Sequence, residues 1–113
     1  MAIKTVIYPV RDVDAAKAMF TGLLGTAPDM DEPYYVQWNV DGQAIGLDPN
    51  GHNKGMTGPV GYYHVDDIAT AAKRLVDAGG TETEAAHDVG GGRLVATVTD
   101  ADGNPIGLIQ SPW

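Results

Sequence analysis

One stretch decides the fold because it occurs twice: "YPVRDVDAAKAMFTGLLGT" at residues 8–26 returns as "YHVDDIATAAKRLVDAGGT" at residues 63–81. The two copies align without a gap, and Asp12 and Asp67 are among the identical positions. A second phrase also recurs, since "DGQAIGLDPN" at 41–50 is followed later by "DGNPIGLIQS" at 102–111. Two repeats in the same order indicate an internal duplication, which governs every later inference about the fold.

Each copy predicts a strand followed by a helix. The segments 3–10 and 59–65 are rich in β-formers, and each leads to an aspartate suited to capping a first helical turn. Apolar residues then recur at helical spacing. In the first helix these predicted core residues are Ala16, Met19, Phe20 and Leu23. Glycine ends both helices, because it adopts the left-handed conformation at no steric cost.

Strand-like segments follow each predicted helix. "YYVQWNV" and "QAIGLD" belong to the first copy, "RLVATVTD" and "NPIGLIQ" to the second, and Asp-Gly supplies each hairpin turn. A shorter strand is expected before each pair, near 27–31 and 82–87. The sequence therefore predicts an α+β fold, with two βαβββ modules in a single domain over residues 1–113. Module 1 covers about 1–50, the linker about 49–58 and module 2 about 59–113.

Composition limits the possible functions. The chain has 113 residues and a formal net charge of −8, which argues against nucleic acid as a partner. An acidic surface either attracts cationic ligands or simply maintains solubility, and both interpretations remain open. The absence of cysteine excludes disulfides and thiolate metal sites. With no apolar run near the ~20 residues that span a bilayer, and no signal-peptide pattern at the start, we expect a cytoplasmic protein.

Several motifs resemble the vicinal oxygen chelate superfamily, which contains glyoxalase I, extradiol dioxygenases and bleomycin-resistance proteins. They are "V-x-D" before an alanine-rich helix ending "F-x-x-L-L-G", and "GGGRLVATVTDADGNPIGL" at 90–108, with Ala101 where the family has proline. The resemblance implies that the two modules form a curved mixed-sheet half-barrel around a cavity. Pairing of modules within one chain and swapping between two chains both remain open.

The resemblance also implies where a metal would bind. The metal enzymes of the family take ligands from positions that correspond here to Thr5, Gly46, Val60 and Gly107. Two glycines and a valine offer no side-chain donor, and a lone hydroxyl is a poor ligand for a divalent ion. We therefore expect no metal, no cofactor and no lactoylglutathione lyase or dioxygenase activity. A replacement site built from Asp48, His52, His64 or His87 is the alternative.

Strand alternation predicts which side chains face the cavity, because residues i and i+2 share a face. The expected ligand-binding residues are Tyr35, Gln37, Asn39, Asp48, Tyr62, His64 and Arg93. Trp38 is expected on the helix side, as a core residue. Glycine within a strand marks the close approach of a ligand or of another backbone segment. His64 is the one candidate catalytic residue, as a general base, and a structural histidine is the competing interpretation.

Two main hypotheses follow. The first is a metal-independent binding protein of the bleomycin-resistance type, bacterial in character and homodimeric, that sequesters a cationic antibiotic or metabolite and contacts neither nucleic acid nor membrane. The second is a lyase or dioxygenase of the same superfamily, with relocated metal ligands or with a metal-free site that uses His64. A third possibility is that the domain serves in protein association.

Overall fold

The computed structural model describes residues 1–112. Its elements run in the order β1 (Ala2–Pro9), α1 (Val13–Leu24), β2 (Met30–Glu32), β3 (Tyr35–Val40), β4 (Gln43–Asp48), β5 (Val60–His64), α2 (Ile68–Asp77), β6 (Thr81–Asp88), β7 (Leu94–Thr99) and β8 (Pro105–Gln110). A short 3₁₀ turn, His52–Lys54, lies between β4 and β5. This order confirms the α+β class and the two successive βαβββ modules.

The chain divides into two compact units. We call residues 4–60 the first unit, and residues 1–3 together with 61–112 the second unit. The short strands expected near 27–31 and 82–87 are present as β2 and β6. His87, at the end of the second of these expected strands, lies on β6 and is exposed. Neither helix within residues 1–112 is long and apolar enough to span a membrane.

The first unit is a four-stranded sheet covered by α1. Its strand order is β2-β3-β4-β1, with β1 and β4 parallel and the other pairs antiparallel. Val36, Trp38 and Leu47 form the buried centre on the helix side, as alternation predicts for Trp38. The indole Nε1 of Trp38 donates a hydrogen bond to the carbonyl of Thr26 at 3.0 Å. Burial of the ring therefore leaves its one polar atom satisfied.

Helix α1 begins and ends where the sequence indicates, but it is rotated from the expected orientation. Asp12 caps it by accepting from the Ala15 amide at 3.0 Å, and Gly25 ends it at φ 73°. Met19 and Leu23, expected in the core, are 66% and 76% exposed. The residues that pack on the sheet are Val13, Ala16, Phe20 and Leu24. Met19 and Leu23 each precede a packed residue, Phe20 and Leu24, by one position. One position is about 100° around the helix, so their side chains are turned away from the sheet.

The second unit repeats this plan. Its strand order is β5-β8-β7-β6, with β5 and β8 parallel. Helix α2 starts at Asp67, which accepts from the Thr70 amide at 3.1 Å. The Ile68 amide donates to the side chain of Gln110 at 2.8 Å, which fastens the start of the helix to β8. The buried cluster comprises Ile68, Ala72, Ala96, Val98 and Leu108, so that the opposite sheet face carries Tyr62, His64 and Gly107.

Candidate functional site

A tyrosine covers the central strand glycine of the first unit. Gln37 on β3 pairs with Gly46 on β4, and Tyr35 lies diagonally across from that glycine on the same face. A Cβ atom built on Gly46 would lie 2.7 Å from Cζ of Tyr35, and closer still to its hydroxyl. The phenol ring therefore fills the space that any other residue at position 46 would need.

The second unit also covers its central strand glycine with a tyrosine, but from a different strand position. Tyr62 on β5 is the register partner of Gly107 on β8. A Cβ built on Gly107 would meet the ring of Tyr62 at 2.7 Å from Cγ and at 2.7 Å from Cε2. Tyr62 is only 9% exposed. In each unit the group that lies close to the strand glycine is the ring of a tyrosine of the same unit.

This geometry tests whether the family's metal positions fit a divalent ion. Gly46 and Gly107 offer no donor atom, and the space beside each is occupied by a ring. Thr5 and Val60 are both 4% exposed, and only Thr5 has an oxygen donor in its side chain. Within residues 1–112 no group of three or more His, Asp or Glu side chains is placed to hold a metal. The residues at these positions do not fit a metal centre of the family type.

Three of the expected ligand-binding residues form a hydrogen-bonded ladder along β3. The hydroxyl of Tyr35 donates to Oε1 of Gln37 at 2.8 Å, and Nε2 of Gln37 donates to Oδ1 of Asn39 at 2.8 Å. The backbone amide of Asn39 donates to Asp29 at 2.7 Å. The ladder becomes more exposed toward Asn39. Its bonds leave the amide hydrogens of Asn39 as the donors available at the exposed end.

The Asp48 side chain is held by hydrogen bonds within the loop that follows β4. The residue is 8% exposed, and its carboxylate accepts from the backbone amide of Asn50 at 2.9 Å and from Nζ of Lys54 at 3.0 Å. These bonds close the loop that contains the 3₁₀ turn. His52, in the same turn, has a buried Nδ1 with no hydrogen-bond partner among the described residues. Asp48 thus shapes the end of β4 through its loop, and Lys54 is the partner that sequence reasoning missed.

The remaining candidates belong to the second unit. Tyr62 and His64 lie on one face of β5, because Tyr63 and Val65 pack against the helix side. His64 is half-buried, with Ile109 of β8 as its register partner. Arg93 is half-buried in the turn before β7, where its amide donates to the Gly90 carbonyl at 3.2 Å. The shared face of Tyr62 and His64 agrees with strand alternation, and their role in ligand binding stays a prediction.

Asp29 and the tyrosine–glycine contacts were missed. The signal for those contacts was present in the sequence, since each strand glycine has a tyrosine on a neighbouring strand. The pairing of β3 with β4, and of β5 with β8, had to be known before the two could be matched.

The chain matches the family model described as the Glyoxalase/Bleomycin resistance protein/Dioxygenase superfamily over residues 2–108. A search of the curated proteins found no match. Among solved structures, it is similar to an NAD-dependent benzaldehyde dehydrogenase from Legionella pneumophila (TM-score 0.76, 14% identity, covering 94% of this chain and 96% of that one).

Two further solved structures carry the family description or an enzyme name. One is a glyoxalase/bleomycin resistance protein/dioxygenase superfamily member from Vibrio splendidus 12B01 (TM-score 0.71, 16% identity, covering 95% and 97%). The other is methylmalonyl-CoA epimerase from Mycobacterium tuberculosis (TM-score 0.68, 19% identity, covering 96% and 87%). At these identities the likeness shows the shared fold, and the different names show that this fold carries several activities.

Proposed function

The chain belongs to the Glyoxalase/Bleomycin resistance protein/Dioxygenase superfamily, and from this premise we propose that it is a metal-independent member that binds a small molecule without transforming it. The observation that carries the proposal is the pair of tyrosine–glycine contacts. Tyr35 and Tyr62 occupy the space beside Gly46 and Gly107, the positions that correspond to metal ligands in the family's enzymes. Aromatic rings beside bare backbone suit ligand binding better than ion coordination.

The chemistry of these faces favours a cationic ligand with hydrogen-bonding groups. Phenol rings attract cations through their π-electrons, and this attraction strengthens when water is excluded. The Tyr35–Gln37–Asn39 ladder offers amide donors at its exposed end. The net charge of −8 raises the local concentration of cations around the protein. A cationic antibiotic or metabolite is therefore the ligand class we propose, and sequestration by a cytoplasmic homodimer is the proposed role.

Calorimetric titration with a bleomycin-type glycopeptide tests this proposal. We expect saturable binding with a dissociation constant in the micromolar range, about −8 kcal/mol. Asn39→Ala should weaken it, because the exposed donors of the ladder are lost. Tyr35→Phe should also weaken it, since the bond that orients Gln37 disappears.

Tyr34→Phe is the matched control for Tyr35→Phe. Tyr34 is the neighbouring tyrosine, is 66% exposed and takes no part in the ladder, so that this variant should bind as the unaltered protein does. Absence of saturable heat at micromolar protein would remove this ligand class. An equal loss of affinity in the Tyr34 and Tyr35 variants would mean that the ladder takes no specific part in binding.

An enzymatic role through His64 is the second candidate, supported by the position of this half-buried imidazole on the same face of β5 as Tyr62. Imidazole is the commonest general base because its ordinary pKa lies near neutrality. If this role is correct, incubation with candidate substrates should give turnover that His64→Ala abolishes and His64→Gln does not restore. Binding that survives His64→Ala, with no turnover in either protein, would support the binding role instead.

A further inference from the structure

A cavity of about 510 Å³ lies in the second unit on the helix side of the sheet, opposite the face that carries Tyr62 and His64. Its floor is formed by Tyr63 and Val65 of β5 and by Ile106 and Leu108 of β8. Its wall is the face of α2 that carries Ala71 and Leu75. The volume falls within the range of about 300–1,000 Å³ typical of small-molecule sites. The cavity is thus large enough for a ligand and has a predominantly apolar interior.

Charged side chains line this cavity at both ends of α2. Asp66 and Asp67 precede the helix, whereas Arg74 lies in its last turn. Asp67 and Arg74 are seven positions apart, about 10 Å of helical rise. Asp67 is engaged as the helix cap, but the side chains of Asp66 and Arg74 make no hydrogen bond or ion pair with residues 1–112. The apolar interior therefore lies between the Asp66 carboxylate and the Arg74 guanidinium, and neither group is paired with another side chain among residues 1–112.

We infer that this cavity is a second binding site, which takes a small amphipathic cation with its ammonium group at Asp66 and its apolar body between α2 and the sheet. An apolar body is favoured because the floor and the wall are aliphatic and aromatic. A cation is favoured over an anion because two carboxylates and one guanidinium line the cavity, and the whole protein carries a charge of −8. Arg74 orients the ligand by repelling its ammonium group from the other end.

This inference goes beyond the proposed function, since it concerns the opposite sheet face of the second unit. The Tyr35–Gln37–Asn39 ladder lies in the first unit and lines no part of the cavity, so substitutions in it should leave cavity binding unchanged and the two proposals can fail separately. Met1 also lines the cavity and is 89% exposed, so the full chain with Met1 retained is the protein to test.

Octylammonium and octanoate are matched probes, because they share an apolar chain and differ in the charge of the head group. Calorimetry and NMR titration of the amide signals should show octylammonium binding in the millimolar range or tighter, with shifts concentrated in α2, β5 and β8. Asp66→Asn should weaken octylammonium roughly two- to fivefold, the range expected of a partly exposed ion pair. Arg74→Gln should strengthen it by a similar factor. Both changes should act on octanoate in the opposite direction.

Matched controls exist on the same helix. Lys73→Gln and Asp77→Asn remove the same charges as Arg74→Gln and Asp66→Asn, but these two residues pair with each other at 2.7 Å and lie outside the cavity lining. Both controls should change affinity far less than the cavity variants. Ala71→Phe, checked for folding by circular dichroism, should block both probes. Octanoate binding as tightly as octylammonium, equal effects of Asp77→Asn and Asp66→Asn, or undiminished binding to folded Ala71→Phe would overturn the inference.

Discussion

The ring of Tyr62 lies against the bare backbone of Gly107, its register partner on the adjacent parallel strand. In the other unit Tyr35 covers Gly46 in the same manner, although it does so from a diagonal position on an antiparallel strand. The glycines are equivalent in the repeat but the tyrosines are not, because Tyr62 aligns with Ile7 of β1 whereas Tyr35 lies on β3. The resemblance implies that both glycines stand at metal-ligand positions of the family's enzymes, and the tyrosine contacts predict that a side chain at either position would destabilise the strand.

Gly107→Ala should destabilise the protein by about 1–3 kcal/mol, the usual cost of forcing an extra methyl group into a packed site. The new methyl would meet Cγ of Tyr62, near the attachment point of the ring, where rotation about the side-chain bonds gives little relief. Urea unfolding monitored by circular dichroism measures the change. In a double-mutant cycle, Gly107→Ala should cost much less in the Tyr62→Ala background than in the unaltered protein, since the two residues are in contact.

Gly61→Ala is the control for that substitution. Gly61 lies on β5 beside Tyr62, and a Cβ there would meet only Ile3, at an ordinary contact distance of 3.5 Å. The free energy of unfolding of Gly61→Ala should remain unchanged or rise by up to about 1 kcal/mol, because alanine lowers the conformational entropy of the unfolded chain. Similar losses for Gly61→Ala and Gly107→Ala would mean that strand glycine, rather than the tyrosine contact, sets the cost.

Gly46→Ala should cost less than Gly107→Ala. The atom nearest to the new methyl would be the hydroxyl at the far end of Tyr35, which can move if the ring swings outward. That movement would break the 2.8 Å bond from Tyr35 to Gln37 and disorganise the ladder. We therefore expect a loss of ligand affinity larger than the loss of stability, measured by calorimetry and urea unfolding on the same variant. A stability loss that exceeds that of Gly107→Ala would contradict this ranking.

Trp38→Phe should destabilise the first unit by about 1–3 kcal/mol. The indole is fully buried, and its Nε1 atom satisfies the carbonyl of Thr26 at 3.0 Å. Phenylalanine would leave that carbonyl without its donor and would underfill the space. Tyr34→Phe, at a position that is 66% exposed, should change the unfolding free energy by less than about 0.5 kcal/mol. Equal effects of the two substitutions would place Trp38 outside the core.

The loss of stability at acidic pH, which we call the acid limb, should depend on Asp67. Hydrogen bonds from the backbone and side chain of Thr70 lower the pKa of the Asp67 carboxyl below its ordinary value of 3.8. A lowered folded pKa means that this stabilisation is present above pH 3.8 and is lost as the pH falls through the folded value. Asp67→Asn keeps a capping oxygen without the titration, so the fall in melting temperature below pH 4 should become shallower.

Asp66→Asn is the control for the acid limb, since the Asp66 carboxylate accepts no hydrogen bond from residues 1–112. Its melting temperature should follow the pH dependence of the unaltered protein. An unaltered acid limb in Asp67→Asn, or an equal flattening in both variants, would contradict the capping account.

The sequence predicted the fold because periodicity and capping are local properties. Asp12 and Asp67 cap helices as expected. Alternation placed Trp38 in the core and Tyr62 on the sheet face that points away from α2. The orientation of α1 was wrong at Met19 and Leu23, because apolar spacing alone does not reveal which part of a broad stripe meets the sheet.

The candidate site was harder to predict, since its contacts are non-local. Asp48 was correctly identified as lying at the end of its strand, yet its partner Lys54 depends on how the following loop turns back. The glycines were recognised as unusual from the sequence, but the tyrosines that cover them could be identified only from the strand register.

Metal content tests the central claim most directly. The protein should be produced in medium supplemented with Zn, Ni, Mn and Fe, purified without chelators, and analysed by elemental mass spectrometry, with melting temperatures recorded before and after EDTA. We predict less than about 0.1 metal ion per chain and no change in melting temperature, because Thr5, Gly46, Val60 and Gly107 supply too few donors. A metal retained at one ion per chain, and lost in His64→Ala but not in the exposed His87→Ala, would contradict the account.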